Sequence, residues 1–169
     1  MAERLGTPYT YDTIADYSFR LGDKVRNGGI DMGIVHDLVV VLGTTGGLLA
    51  KGLGPTLTID KGDILTANLE HIADCPAGED SVEIVSLPEA TKLNRRNVLI
   101  ATAFTDTGLI LQATKDYVQG CRPRSVTTAA IFWSGKASEG SLLAPTWHLY
   151  QECDPIMPWH RPRPASTII

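Results

Sequence analysis

The chain alternates between short runs of consecutive apolar residues and segments whose apolar positions recur every three or four residues. That alternation predicts buried strands interleaved with helices. Ile14, Tyr17, Leu21 and Val25 recur at helical spacing. They predict a helix from about Asp12 to Asn27, capped by Thr10 or Asp12 and stopped by Gly28 and Gly29. The unbroken apolar run from Leu38 to Leu42 predicts a strand buried on both faces. The stretch from Gly43 to Gly47 follows as a turn, then a short helix closed by Gly54. Thr56 to Asp60 reads as the next strand.

Lys61 to Ser81 is polar without a clear period, which predicts loops or a peripheral flap. Val82 to Leu87 alternates and predicts an edge strand. Asn97 to Ala101 predicts a second fully buried strand, Thr102 to Gly108 a loop, and Leu109 to Gln119 a helix ended by Gly120. Ser125 to Trp133 predicts a third long strand, and apolar alternation recurs from Thr146 to Tyr150. Strand, glycine-rich turn, helix, strand is the order of an α/β domain, a Rossmann-like parallel sheet flanked by helices. We expect one such domain over residues 1–162, with a small hood from the flap and C-terminal segments and a proline-rich tail over 163–169. Ligands of such sheets bind at the carboxyl ends of the strands. Both glycine-bearing loops, Gly43 to Gly47 and Thr102 to Gly108, fall at such ends.

Composition narrows the function. A formal net charge of −4 supplies no broad electrostatic footprint for nucleic acid, so none is expected as a partner. No apolar run is long enough to span a bilayer, and the first residues lack the apolar stretch of a secretion signal. Cys75, Cys121 and Cys153 are far apart and odd in number, which suits reduced thiols in a cytoplasmic protein rather than disulfides or a zinc site. His71, His148 and His160 have no metal-ligand spacing, so no protein-held metal is expected.

The loop from Thr105 to Gly108 follows a strand and opens a helix. Backbone N–H groups of Asp106, Thr107, Gly108 and Leu109, with the Thr105 and Thr107 hydroxyls and the helix dipole, make a cradle for a phosphate dianion. A second reading, in which Thr105 or Asp106 merely caps the helix, stays open. In the other loop, Thr44, Thr45, Gly46 and Gly47 offer hydroxyls and close backbone approach. No Gly-Lys-Ser/Thr follows, so it is not a P-loop, and a plain strand-to-helix turn is its simpler reading.

With both loops in order, the chain resembles the type I phosphoribosyltransferases, nearest the purine (6-oxopurine) branch. The segment VVVLGTTGGLLA sits where that family has its pyrophosphate loop, and SLPEATKLNRRNVLIATAFTDTG sits where it has its phosphoribosyl pyrophosphate signature. The closing DPIMPWH resembles a segment ending in Pro-Trp in the same branch. The resemblance implies that Thr105, Asp106, Thr107, Gly108 and Leu109 hold a 5′-phosphate and that Thr44 to Gly47 face pyrophosphate. It implies that Asp106 is the catalytic group near N7 of a purine, and that Trp159 stacks on the base or anchors the C-terminus.

The same resemblance exposes departures. The family's ribose-binding acidic pair falls on Thr102 and Ala103. Charge-assisted hydrogen bonds contribute about 1.5–3 kcal/mol each, so losing two weakens sugar binding by a factor on the order of 10². Thr45 stands where the purine branch often has a cation, Ile110 where it has a hydroxyl, and Ser134 where it has a base-contacting lysine, with Lys136 displaced. The expectation is therefore a non-catalytic relative that binds a nucleoside monophosphate, phosphoribosyl pyrophosphate or a purine-like base. It could also form a homodimer or pair with an active subunit. The alternative is an active or atypical purine phosphoribosyltransferase that uses phosphoribosyl pyrophosphate and Mg²⁺.

Overall fold

The computed structural model describes residues 9–43, 45–72, 81–135, 144–151, 155, 157 and 158. Along the chain run α1 (Tyr11–Asp31), β1 (Leu38–Leu42), α2 (Gly46–Leu57), β2 (Ile64–Ile72) and β3 (Ser81–Ser86). Then come α3 (Ala90–Leu93), β4 (Asn97–Thr105), α4 (Leu109–Gly120), β5 (Ser125–Trp133) and β6 (Trp147–Gln151). The strands form one sheet in the order β3-β2-β1-β4-β5-β6. Every neighbouring pair is parallel except β2 with β3, which is antiparallel.

Successive residues of β1 point to opposite faces, and both faces are covered. Val39 and Val41 pack with Ile14, Leu21 and Val25 of α1 and Leu49 and Leu53 of α2. Leu38, Val40 and Leu42 pack with Leu93, Leu111 and Val118, from α3 and α4. Burial on both sides is why these strands read as unbroken apolar runs rather than alternating ones. Val40 of β1 stands beside Ile100 of β4, the central pair of the sheet.

Several sequence expectations are corrected. Helix α1 starts at the expected cap, Thr10, whose hydroxyl accepts from the Thr13 N–H (3.1 Å). It does not stop at Gly28 and Gly29 but runs through them to Asp31. A side chain at Gly28 would collide with the Trp147 indole, so this glycine serves close packing rather than termination. Likewise α2 continues past Gly52 and Gly54, because Gly52 lies directly against Ser18 of α1.

Thr56 to Asp60 is not a strand. Thr56 and Leu57 end α2, Thr58 adopts the left-handed conformation (φ 58°), and Ile59 N–H closes the turn onto the Gly54 carbonyl at 2.8 Å. The second strand lies instead at Ile64–Ile72, inside the segment expected to be loops or a flap. Its signal was the alternation of Leu65, Ala67 and Leu69 with Thr66, Asn68 and Glu70. Strand β4 also runs on to Thr105, so Thr102 to Thr105 is strand and only Asp106 to Gly108 forms the turn. The segment 163–169, Cys75, Cys153, His160 and Lys136 lie outside the described residues. Cys121 is a free thiol that donates to the Tyr117 carbonyl. Among the described residues no helix is long and apolar enough to cross a membrane.

Candidate ligand site

Strand order reverses at the sheet centre: the chain goes from β1 outward to β2 on one side, then resumes at β4 on the other. The connections leaving β1 and β4 diverge there, and a crevice opens at their carboxyl ends. A cavity of about 340 Å³ occupies this place. It is lined by the end of β1 (Leu42, Gly43), by Thr45, and by the run from Thr102 to Leu111. Leu69 of β2 completes the wall. The two loops that the sequence singled out therefore meet at one cavity.

The α4 side of the cavity is formed by the turn Asp106 to Gly108 and the first residues of the helix. Gly108 is the N-cap, with φ 81° and ψ 2°, a left-handed conformation that strains any residue with a Cβ. Having no side chain, Gly108 cannot cap the helix. The N-cap position falls on Gly108, three residues past Thr105 and two past Asp106. Leu109 N–H reaches the Thr107 hydroxyl at 3.4 Å, and Gln112 N–H takes the Gly108 carbonyl at 2.8 Å. The N–H groups of Ile110 and Leu111 belong to the first turn, which has no intrahelical acceptor. They lie with the positive end of the helix dipole beside the cavity.

The turn is held from the neighbouring strand. Ser134, just past β5, donates its hydroxyl to the Asp106 carbonyl (2.7 Å) and its N–H to the Thr105 carbonyl (3.1 Å). Ser134 is buried. Sequence comparison marked it only as a lost lysine. Its part in fixing the turn needed the β4–β5 register, which sets Thr105 beside Trp133.

Thr102 and Ala103 both line the cavity, so the positions expected to carry the sugar-binding carboxylates do face the ligand space. The Thr102 hydroxyl donates to the Phe104 carbonyl at 3.0 Å, leaving its oxygen as an acceptor only. Ala103 offers no polar atom. Among the described lining residues, Asp106 is the single ionisable side chain, and no lysine or arginine reaches the space. Ile110, Leu42, Leu69 and Leu111 supply an apolar wall instead.

In the first loop, Thr45 lines the cavity and is the N-cap of α2, with no side-chain capping bond. Gly46 is pressed against the Val41 side chain, and Gly47 has open space around it; neither is part of the lining. Thr44 and Trp159 lie outside the described residues. Leu42, Gly43, Leu69, Ile110 and Leu111 are lining residues that motif reasoning did not single out as ligand groups.

Mg²⁺ held by a protein takes one or two carboxylates together with substrate phosphates. The cavity offers one carboxylate, Asp106, with Thr102 and Ala103 supplying no second, so a Mg²⁺ here would be held mainly by the phosphates of a bound substrate. Among the described residues, no group of three or more His, Cys, Asp or Glu gathers anywhere.

A mostly parallel sheet covered by helices on both faces, with a cavity at its switch point, defines the α/β class. Comparison with solved structures gives the particular fold. A purine phosphoribosyltransferase from Pyrococcus horikoshii superposes with a TM-score of 0.70 at 16% identity, over 93% of this chain and 95% of that one. The xanthine-guanine-hypoxanthine phosphoribosyltransferase of Helicobacter pylori matches with a TM-score of 0.64 at 17% identity, over 88% of each chain. A hypothetical protein of Neisseria gonorrhoeae with bound ppGpp matches with a TM-score of 0.63 at 22% identity, over 89% of this chain and 83% of that one. The fold is therefore that of the type I phosphoribosyltransferases, as the resemblance implied. No protein-family model matches the chain, and no curated protein matches it by sequence.

Proposed function

We propose that this chain is a non-catalytic phosphoribosyltransferase-fold protein that binds a nucleoside monophosphate or a related phosphorylated ligand in the switch-point cavity. One observation carries the reading: Thr102 and Ala103, which carry no carboxylate, line the same cavity as the glycine turn that opens α4. The phosphate would lie against the start of α4, and the rest of the ligand against Leu42 and Leu69. The Neisseria protein of the same fold, which holds ppGpp, supports a phosphorylated ligand for this architecture. The same reading puts the protein in the cytoplasm, supported by the three widely spaced cysteines. A homodimer, or a complex with an active subunit, is a second way such a relative could act.

Asp106 favours the competing enzyme reading. It lies on the cavity at the turn, where a general base for a purine would have to be. In that reading ribose 5-phosphate passes from phosphoribosyl pyrophosphate to the base, and pyrophosphate leaves. Catalysis would rest on positioning the two reactants. The pure protein is incubated with phosphoribosyl pyrophosphate, Mg²⁺ and mixed purine and pyrimidine bases, and products are read by mass spectrometry. In parallel, nucleoside monophosphates are titrated calorimetrically. Binding without product supports the proposal. Nucleoside monophosphate formation that disappears in Asp106→Ala overturns it in favour of the enzyme.

A further inference from the structure

At the opposite end of the sheet, the loops leading into β4 and β5 carry arginines in an unusual backbone setting. Arg95 and Arg122 have φ of 59° and 57°, two of the three non-glycine residues with positive φ among those described. Each follows the last turn of a helix, α3 or α4, where glycine or asparagine is the ordinary occupant. The left-handed backbone disfavours an arginine there, because its Cβ crowds the following carbonyl. Strain of this kind persists where the surrounding contacts hold the backbone, and it clusters at functional sites.

The two loops are tied to each other. Arg95 N–H donates to the Arg122 carbonyl (3.0 Å), and Arg124 N–H donates to the Arg96 carbonyl (2.8 Å). Of the cations gathered here, Arg96 is committed, bonding Asp37 and Asp63 at 3.0 and 2.9 Å. Lys92, Arg95, Arg122 and Arg124 are exposed, and among the described residues none has an ion-pair partner. Glu89, one turn before Lys92, and Asp31, between Ile30 and Met32, are exposed acids that Arg96 does not engage. In a chain of net charge −4, this is a concentrated basic patch.

Beside it lies exposed apolar surface. The Asn97 side chain at the start of β4 donates to the Val35 carbonyl (2.9 Å), joining the turn after α1 to the patch. Val35 is 74% exposed, Ile30 66% and Met32 54%. Apolar residues next to arginines are the composition of a protein–protein contact. A nucleic acid backbone would gain nothing from Val35, Ile30 and Met32, whereas a polypeptide with apolar side chains would.

We propose that this end of the sheet docks an acidic polypeptide segment that also carries apolar residues. Lys92, Arg95, Arg122 and Arg124 would receive its carboxylates, and Val35, Met32 and Ile30 its apolar side chains. Arginine pairs with carboxylates in bidentate fashion, which gives such a contact direction as well as strength. The surface lies at the amino ends of the strands, about 17 Å from the cavity by the five residue steps of β4 from Asn97 to Thr102, so partner and ligand can be held together.

The test uses the full chain and a fluorescein-labelled acidic peptide with leucine at every fourth position, followed by anisotropy. Binding that weakens with salt is expected. The double variant Arg95→Asn with Arg122→Asn should weaken it about tenfold, since two charge pairs are lost. Because asparagine tolerates the left-handed backbone, Tm of that variant should hold or rise. Val35→Ser should also weaken the peptide. An absence of binding overturns the proposal, as does an affinity that the double variant leaves unchanged. Displacement of the peptide by an oligonucleotide of equal charge, as readily as by unlabelled peptide, overturns it in favour of a general polyanion surface.

Discussion

The hydroxyl of Ser134 donates a 2.7 Å hydrogen bond to the carbonyl of Asp106, from one strand's end to the turn at the end of its neighbour. The bond fixes the backbone whose next residues present N–H groups to the cavity. Removing it takes one donor from a half-buried carbonyl, and a hydrogen bond of this kind contributes about 0.5–1.5 kcal/mol. Ser134→Ala should therefore lower Tm and weaken nucleotide binding together, as read by thermal unfolding and calorimetry. A normal Tm with normal binding would show that the turn holds its shape unaided.

Gly108 sits at φ 81° where α4 begins. Alanine there meets a left-handed backbone penalty of about 1–2 kcal/mol. Gly108→Ala should reduce stability by that amount in urea unfolding. It should also cut nucleoside monophosphate affinity by about tenfold or more, since the cradle N–H groups are re-aimed by a strained cap.

Thr102 lines the cavity, whose single ionisable lining residue among those described is Asp106. Thr102→Asp restores one carboxylate next to the space. Calorimetric titration with phosphoribosyl pyrophosphate should then become Mg²⁺-dependent where the parent is not. If parent and variant respond to Mg²⁺ alike, the loss of the acidic pair is not what limits sugar binding.

His36 is buried at the amino end of β1, with its ring nitrogen 2.7 Å from the Thr127 hydroxyl and its ring edge-on to Trp147. Desolvation by burial lowers its pKa below the ordinary 6.5, and the Asp37 charge opposes this only in part. The folded state therefore holds His36 neutral over a range in which the unfolded chain binds a proton. Stability should be full above pH 6.5 and fall as pH drops from there to the lowered folded value, with no further loss from this group below it. Urea unfolding between pH 7.5 and 5 measures the slope, and His36→Gln should flatten it.

Much of the fold was legible in local pattern. Leu38 to Leu42 and Val98 to Ala101 are apolar without interruption because helices cover both faces of the sheet, and that requirement is written in the residues themselves. Thr10 as a cap and Gly120 at the end of α4 follow from the same local chemistry. The glycines misled where packing was the cause. Gly28 and Gly52 look like helix stops, but they sit inside helices because Trp147 and Ser18 come too close for a side chain. Those neighbours lie far away in sequence, so only the tertiary structure names them.

For the site, the sequence by itself determined which groups are available: the Thr105 to Gly108 turn, Asp106 as the carboxylate, and Thr102 and Ala103 in place of acids. The tertiary structure decided how they are used. Register between β4 and β5 places Ser134 beneath the turn, and strand order brings Leu42, Gly43 and Leu69 to the same cavity. The physical reason is one of range. Backbone conformation and burial are set by neighbours along the chain, whereas a cavity is set by which strands lie side by side, and residues far apart in sequence share that decision.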